Sequence, residues 1–561
     1  MKRALKIIGW TLLGLVLTVV VVASVVIYVV FTPARLTPIA RQVAAKVITC
    51  EHEIGEVDLT FFSTFPRFGF RMDGLLLINP MEGAQNDTVV VAENMVAKVD
   101  IMEFLKHRNL HLYEAELGNA RVNFYIAPDG TTNITGVIAF PSDTTKQDTT
   151  GFQLPFDNLE IDGMRLHADR ITFVDSSRVI FASMGPAEMT MQAANWDNIH
   201  IIADAQDVHA RIDEDIYAEG MHLQMDAPMA ISLADMHFDF GESKAAINEF
   251  GFRFDGTVDL KDSIGMDLKL HTDQWQLKPV LAIVPARFTS SLADMDLDGQ
   301  MVLDATLKGY FTSTQMPHIL AHVVLNEGTA AYKPMPYVFN NLAVEADAAL
   351  LMNAGEKSRV EVKSLSTETM ETAVTAKGTI EDLFGDMLLN LALVVDANLP
   401  DFAYFMPEKM TVTGHAQGPV NMRIKLNDLT EMRLEKGKIE ADLQLTAFHY
   451  DMDSIFADMP STRAHIFFPN PHPSYPKVKW ARVEMDAEKL DVEMATPLKA
   501  DIRPSTIQAE IGNMLSKDPV IYAAVGIQTT HPMEVIMDSM EVNMLAPKIK
   551  AYTEYARPCG A

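Results

Sequence analysis

From Glu51 onward the chain alternates with period two. Val122, Phe124 and Ile126 are interleaved with Arg121, Asn123 and Tyr125, and Met266, Leu268 and Leu270 with Asp267, Lys269 and His271. Met422, Ile424 and Leu426 alternate with Arg423 and Lys425. Ile439, Ala441, Leu443, Leu445 and Ala447 alternate with Glu440, Asp442, Gln444 and Thr446. Successive side chains of a strand point to opposite faces, so each run reads as a strand with one apolar and one polar face. No run of strand-helix-strand units interrupts the pattern, which argues against a doubly wound parallel sheet. The expected class is mainly β: an antiparallel sheet with a few short helices. Its apolar face must be covered by closing into a barrel, by a second sheet, or by curling into an open trough. Composition does not choose among these.

A repeat favours the extended solutions. "DQWQLKPVLAIVP" (273–285) resembles "DANLPDFAYFMP" (396–407), and "LDATLKG" (303–309) resembles "VTGHAQG" (412–418). "TAAYKPMPYVFNNLAVEADAAL" (329–350) then resembles "TAFHYDMDSIFADMPSTRAHIFF" (446–468). Each copy reads as a short helix, a strand pair and a further hairpin. Two copies in series point to an elongated, repetitive sheet rather than a compact enzyme core.

The first fifty residues differ from the rest. They hold six Lys or Arg and no acid, leaving 40 basic against 75 acidic residues in the remainder. A body that acidic repels phosphate backbones, so no nucleic-acid partner is expected. Residues 7–31 carry no charge. As a helix they would measure about 37 Å, enough for a hydrocarbon core of about 30 Å. Lys2, Arg3 and Lys6 precede them, which places residues 1–6 in the cytoplasm and everything after residue 35 outside it, in the periplasm of a two-membrane bacterium. The competing reading, a cleaved signal peptide, expects a shorter apolar region. Thr37-Pro38 opens a short helix whose apolar face, Leu36, Ile39, Ala40, Val43 and Val47, either plugs the β structure or lies on the membrane.

Candidate chemistry is sparse. Asp294, Asp296, Asp298 and Gly299 match the opening of a calcium loop, but the twelfth position is Ala305 where such a loop needs Glu. The same aspartates alternate with Met295 and Leu297, as a strand's solvent face would. No nucleotide, zinc-protease or serine-hydrolase motif is present, and the histidines are scattered. No catalytic residue, metal ligand or cofactor is assigned. Two cysteines, Cys50 and Cys559, exclude a disulfide framework and allow at most one bridge. Methionine is abundant at 34 residues. Its flexible thioether suits surfaces that take varied apolar partners, or its frequency is a compositional habit of the source.

The stretch 92–134, "AENMVAKVDIMEFLKHRNLHLYEAELGNARVNFYIAPDGTTNI", carries a strand, a short helix at Ile101–Lys106, two strands and a turn with Asp129, Gly130 and Asn133. Asn133-Ile134-Thr135 is also a glycosylation sequon. This order, behind an N-terminal anchor, resembles the N-terminal region of the AsmA family, and the repeats at 273–350 and 396–468 resemble its C-terminal region, ending at Tyr332 and Tyr450. The resemblance makes the sequon coincidental, with Asp129 and Asn133 kept for hydrogen bonds to the turn backbone.

The resemblance divides the chain into a tail (1–6), an anchor (7–31), an AsmA-like β region with its plug helix (35–140), a middle β region (141–270), a repeat region (271–500) and a C-terminal segment (501–561). It implies an architecture similar to bridge-like lipid-transfer proteins: a sheet curled into an apolar groove, lined here by Val122, Phe124, Ile126, Met266, Leu268, Leu270, Ile439, Leu443 and Leu445. It implies a non-enzymatic inner-membrane protein with its bulk in the periplasm, whose partner is phospholipid or another envelope lipid and whose role lies in outer-membrane biogenesis. The alternative is an assembly factor that acts on outer-membrane or other envelope proteins.

Overall fold

The computed structural model describes residues 32–556, apart from 61–67, 138–157, 471–479, 513–519 and shorter stretches of one to four residues. The anchor segment 7–31 and Cys559 lie outside the described residues, as does most of the short helix expected at Ile101–Lys106. None of the described helices is long and apolar enough to cross a membrane. The described chain is mainly strand and divides into two units, residues 1–268 with 310–314, and residues 269–309 with 315–561.

The first unit opens with helix α1 (Pro33–Val47), one turn earlier than Thr37-Pro38 suggested: Thr32 precedes it and Pro33 occupies its first position. Proline there costs nothing, because the first N–H groups of a helix have no intrahelical partner. The helix lies on strand β1 (His52–Leu59), with Ala44 buried against Ile54 and Val57. It also serves that strand's backbone. Arg41 donates to the Ile54 carbonyl at 2.9 Å, and the Thr37 hydroxyl accepts from Val57 N at 2.9 Å. Groups that a sheet edge would leave unpaired are thereby satisfied.

From β1 the sheet runs antiparallel through β2 (Phe68–Ile78), β3 (Thr88–Val99) and β4 (Asn109–Ile126). The next step departs from the antiparallel expectation. Strand β4 pairs in parallel with β5 (Asn158–Ile161) and β6 (Gly163–Asp175), with Phe124 opposite Phe173. Parallel neighbours need a crossover of a dozen residues or more, and residues 127–157 supply that length. Antiparallel pairing then resumes. Strands β7 (Ile180–Met184) and β8 (Ala187–Asn195) lie between β6 and β9 (Asn198–Ile212), followed by β10 (Asp215–Ser232), β11 (His237–Ile247) and β12 (Phe250–Asp259). Strand β13 (Ile264–Thr272) lies close to β12: a Cβ on Gly256 would sit 2.1 Å from the Asp267 carbonyl oxygen.

In the second unit the two sequence copies become matching pieces of structure. The first has β14 (Trp275–Gln276), helix α2 (Leu277–Ile283), and strands β15 (Met295–Phe311), β16 (His318–Tyr332) and β17 (Val338–Leu350). Strands β18 (Arg359–Thr369), β19 (Thr372–Glu381) and β20 (Leu388–Asn398) follow. The second copy then has a 3-10 helix (Leu399–Phe405), β21 (Met410–Lys425), the short helix α3 (Leu426–Thr430), β22 (Lys438–Met452) and β23 (Ile455–Asn470). The bulges fall at equal offsets. Gly299 and Gly414 each lie four residues into the first long strand, at φ 142° and 115°, and Glu327 and Ala447 each lie nine residues into the second, at φ 51° and 48°. Each glycine lies opposite its positive-φ partner, where the ladder skips residues. Such paired bulges bend and twist a sheet locally.

Beyond β23 the strands break along one line. Strand β23 pairs first with β25 (Leu490–Met494) and then, past Pro460, with β24 (Trp480–Ala487). One branch continues through β27 (Ser505–Gly512), β28 (Val520–Thr529) and β31 (Lys548–Ala556). The other continues through β26 (Leu498–Ile502), β29 (Met533–Met537) and β30 (Met540–Met544). Pro504, Pro532 and Pro547 stand at the breaks between consecutive strands of the two branches. Proline has no N–H to give a ladder, so it marks where pairing stops. Met459, Leu490, Ile502 and Met533 pack at this crease, each at most 4% exposed.

Candidate functional site: a two-faced sheet

Cross-strand register lines up the apolar residues of neighbouring strands. In the second unit one row reads Leu303, Val323, Ala346, Val362, Gly378, Leu391, Met422, Ile439 and Phe468, nine consecutive strands without a polar side chain. The adjacent row, one residue along each strand, points to the opposite face. It reads Asp304, His322, Asp347, Glu361, Thr379, Asn390, Arg423 and Lys438. A shift of one residue in any strand would exchange the faces, so the burial preference of each strand enforces the register of the whole.

The first unit has the same construction. Ile54, Leu75, Ala92, Ala120, Ala168, Ala187, Ala205, Leu223, Ile247 and Phe250 form one apolar row that runs through the parallel step. Its five alanines are 0–4% exposed, and Val122 and Ile171 pack with them. The neighbouring row is larger and more open: Val57, Met72, Met95, Leu117, Leu166, Met189, Ala203, Met225, Ala245 and Phe252. Phe238, Phe240 and Phe254 extend it, with the rings of Phe240 and Phe254 5.4 Å apart.

The residues expected to line a groove divide accordingly. Phe124, Ile126, Met266, Leu268, Leu270, Ile439 and Leu443 are partly exposed. Val122 and Leu445 are buried, at 8% and 6%, and are part of the packing beneath any lining. The alanine row and the Phe238–Phe254 cluster were missed. The "HFDF" and "FGFRF" alternations (237–240 and 250–254) were a legible signal for the cluster, whereas only register brings the alanines together.

A described helix lies on the apolar face of the second unit. Phe402 of the 3-10 helix packs on Ala397, Ala416 and Leu445. Asp401 holds the helix in place: its carboxylate accepts from Thr372 Oγ1 at 2.7 Å, Glu371 N at 3.0 Å and Asn398 Nδ2 at 3.0 Å. The Tyr337 hydroxyl donates to the Asp401 carbonyl at 2.8 Å, and burial pushes the Tyr337 phenol above its usual range.

The polar face of each unit carries a ladder of His–Asp hydrogen bonds and ion pairs. His200–Asp226, His237–Asp259 and His449–Asp458 lie at 2.6 Å, and His322–Asp347 at 2.7 Å. Arg463 grips Asp442, with Nη2 2.5 Å from Oδ2, and holds its carboxyl below the usual range. Asp296 accepts from Lys278 at 2.8 Å on strand β15. Pairs this exposed contribute little stability each. Their combined effect is to keep one face wet.

The turn behind β4 is built differently from the expectation. Asp129 does bind its turn, accepting from Thr131 N at 3.0 Å and Thr131 Oγ1 at 2.6 Å. Asn133 instead reaches back to the strand. Its Oδ1 accepts from Tyr125 N at 3.0 Å and its Nδ2 donates to the Asn123 carbonyl at 2.9 Å, while Ile126 bridges Thr132. The amide takes the place of a neighbouring strand's peptide group. Asn133 is 0% exposed, so its nitrogen cannot receive a sugar in the folded chain.

The AsmA family model matches residues 1–206. The match includes the turn motif and extends to strand β9, while the two repeats lie outside it. No curated protein and no solved structure matches.

Proposed function

The chain is an AsmA family protein, matched over residues 1–206, and from that premise we propose that it carries phospholipid acyl chains along its apolar face between the membranes of a bacterial envelope. In this reading residues 7–31 hold it in the inner membrane, the body lies in the periplasm, and no bond is made or broken. One observation carries the proposal: the unbroken apolar row from Leu303 to Phe468, set against an entirely polar row one residue away. Exposing acyl chain to water costs about 0.8 kcal/mol per CH₂, or about 12 kcal/mol for a sixteen-carbon chain. A continuous apolar surface lowers that barrier without catalysis, and an acidic, ion-paired back keeps the protein soluble.

The test is native mass spectrometry with lipid extraction on the full chain purified from a two-membrane bacterium. Co-purifying phospholipid that falls in folded Phe124→Asp and Ile439→Asp variants supports the reading. Folded protein without lipid overturns it.

A second reading, an assembly factor for envelope proteins, is favoured by the C-terminal edge. Strand β30 pairs with β29, Met540 is 58% exposed and Leu545, just beyond the strand, is 85% exposed. Exposed sheet edges recruit strands from other chains.

A further inference from the structure

We propose that a methionine-lined part of the apolar face in the first unit makes the protein accept acyl chains of varied length and bend. This rests on the lipid-carrying reading above. Met72, Met95, Met189 and Met225 share one cross-strand row, and Met164 and Met191 face each other in the next. Met72 and Met95 are direct partners across β2 and β3.

A methionine that merely fills a gap in a core is buried. None of these six is; Met164 is 39% exposed, while the alanines of the adjacent row are 0–4% exposed. The alanines make a closed floor, and the thioethers stand beside it as side chains that an apolar ligand can reach. The nine-residue row of the second unit contains one methionine, Met422; its other members are branched, aromatic or small.

The chemistry of these two rows differs. Methionine is unbranched, has three rotatable bonds and a polarizable sulfur, and re-packs around a ligand of another shape. Branched side chains hold few rotamers and present a fixed relief. A cis-unsaturated chain bends where a saturated chain runs straight, so it needs a wall that moves aside. The same substitution to leucine keeps volume and apolarity, and volume-conserving swaps are tolerated.

The experiment compares the full-length protein with a Met72→Leu, Met95→Leu, Met189→Leu, Met225→Leu variant. Each is incubated with vesicles of dimyristoyl, dipalmitoyl, distearoyl and dioleoyl phosphatidylglycerol in equal amounts, then re-isolated, and its lipid is quantified by mass spectrometry. The wild type is expected to hold the four lipids within about twofold of supply, and the variant to lose about fivefold in dioleoyl relative to dipalmitoyl lipid. Should the fourfold variant unfold, the pairs Met72→Leu, Met95→Leu and Met189→Leu, Met225→Leu are measured separately. Met370→Leu, on an exposed turn at 72%, is the control. Folded leucine variants with the wild-type lipid distribution overturn the methionine proposal and leave the carrier reading intact. Wild-type protein that takes up none of the four lipids overturns both.

Discussion

The side-chain amide of Asn133 pairs with the backbone of Tyr125 as a neighbouring strand would, accepting its N–H at 3.0 Å from a position with no solvent exposure. Replacing Asn133 by Ala leaves the Tyr125 N–H and the Asn123 carbonyl without this partner. The expected cost is about 1–3 kcal/mol, the penalty of an unmade buried hydrogen bond. Asn133→Asp retains the acceptor for Tyr125 and loses the donor to Asn123. Chemical denaturation of the three proteins gives the order: wild type, then Asp and Ala both lower.

The two bulge glycines are expected to behave alike, because they occupy the same place in two copies. A Cβ on Gly414 would lie 2.7 Å from the Ala447 carbonyl oxygen, and one on Gly299 would lie 2.8 Å from Gly328 Cα. Both also have φ values that L residues rarely adopt. Gly414→Val and Gly299→Val should each lose about 1–3 kcal/mol. If one substitution is neutral and the other is not, the copies are not equivalent in structure.

Asp401 fixes the 3-10 helix to the β18–β19 turn through two accepted hydrogen bonds, from Glu371 N and Thr372 Oγ1, and accepts a third from Asn398 at the helix's own start. Asp401→Ala should free residues 399–409 for limited proteolysis at an early time point, with a loss of about 1–3 kcal/mol. Unchanged cleavage there would mean that Phe402 packing and the hydrogen bonds of Tyr337 and Tyr404 retain the helix.

Acid should destabilise the protein through its paired aspartates. Hydrogen bonds from Arg433 and Lys436 hold Asp428 low, Arg463 does so for Asp442, and Arg503 for Asp501. A carboxyl that titrates lower when folded contributes its stability in full above the ordinary aspartate value of about 3.9, and loses it as pH falls through the lowered value. Lys425, raised by Asp386, contributes below the ordinary lysine value and loses that contribution as pH rises through its raised one. Melting temperature should therefore fall below about pH 4. Asp442→Asn should flatten part of that slope and leave the alkaline limb unchanged.

The two-faced strands were legible in the sequence because side-chain alternation is a local property: Ile439 to Leu445 must share a face in any strand. The repeat was legible too, and the structure adds that its bulges recur at the same offsets. The crease was not read from the sequence: Pro460, Pro504, Pro532 and Pro547 stand at it, but nothing local says that these four belong to one line. The parallel step from β4 to β6 was not legible, since no pattern within either strand names its neighbour. Nor was the role of Asn133, whose partners lie eight and ten residues back along the chain. The alanines at 92, 120, 168, 187 and 205 are unremarkable one by one. The sequence by itself determined which side chains of each strand are apolar and would share a face; only the tertiary structure decided which strands meet, in what register and direction. Pairing is made by backbone groups that every residue carries, so its choice rests on contacts between distant segments.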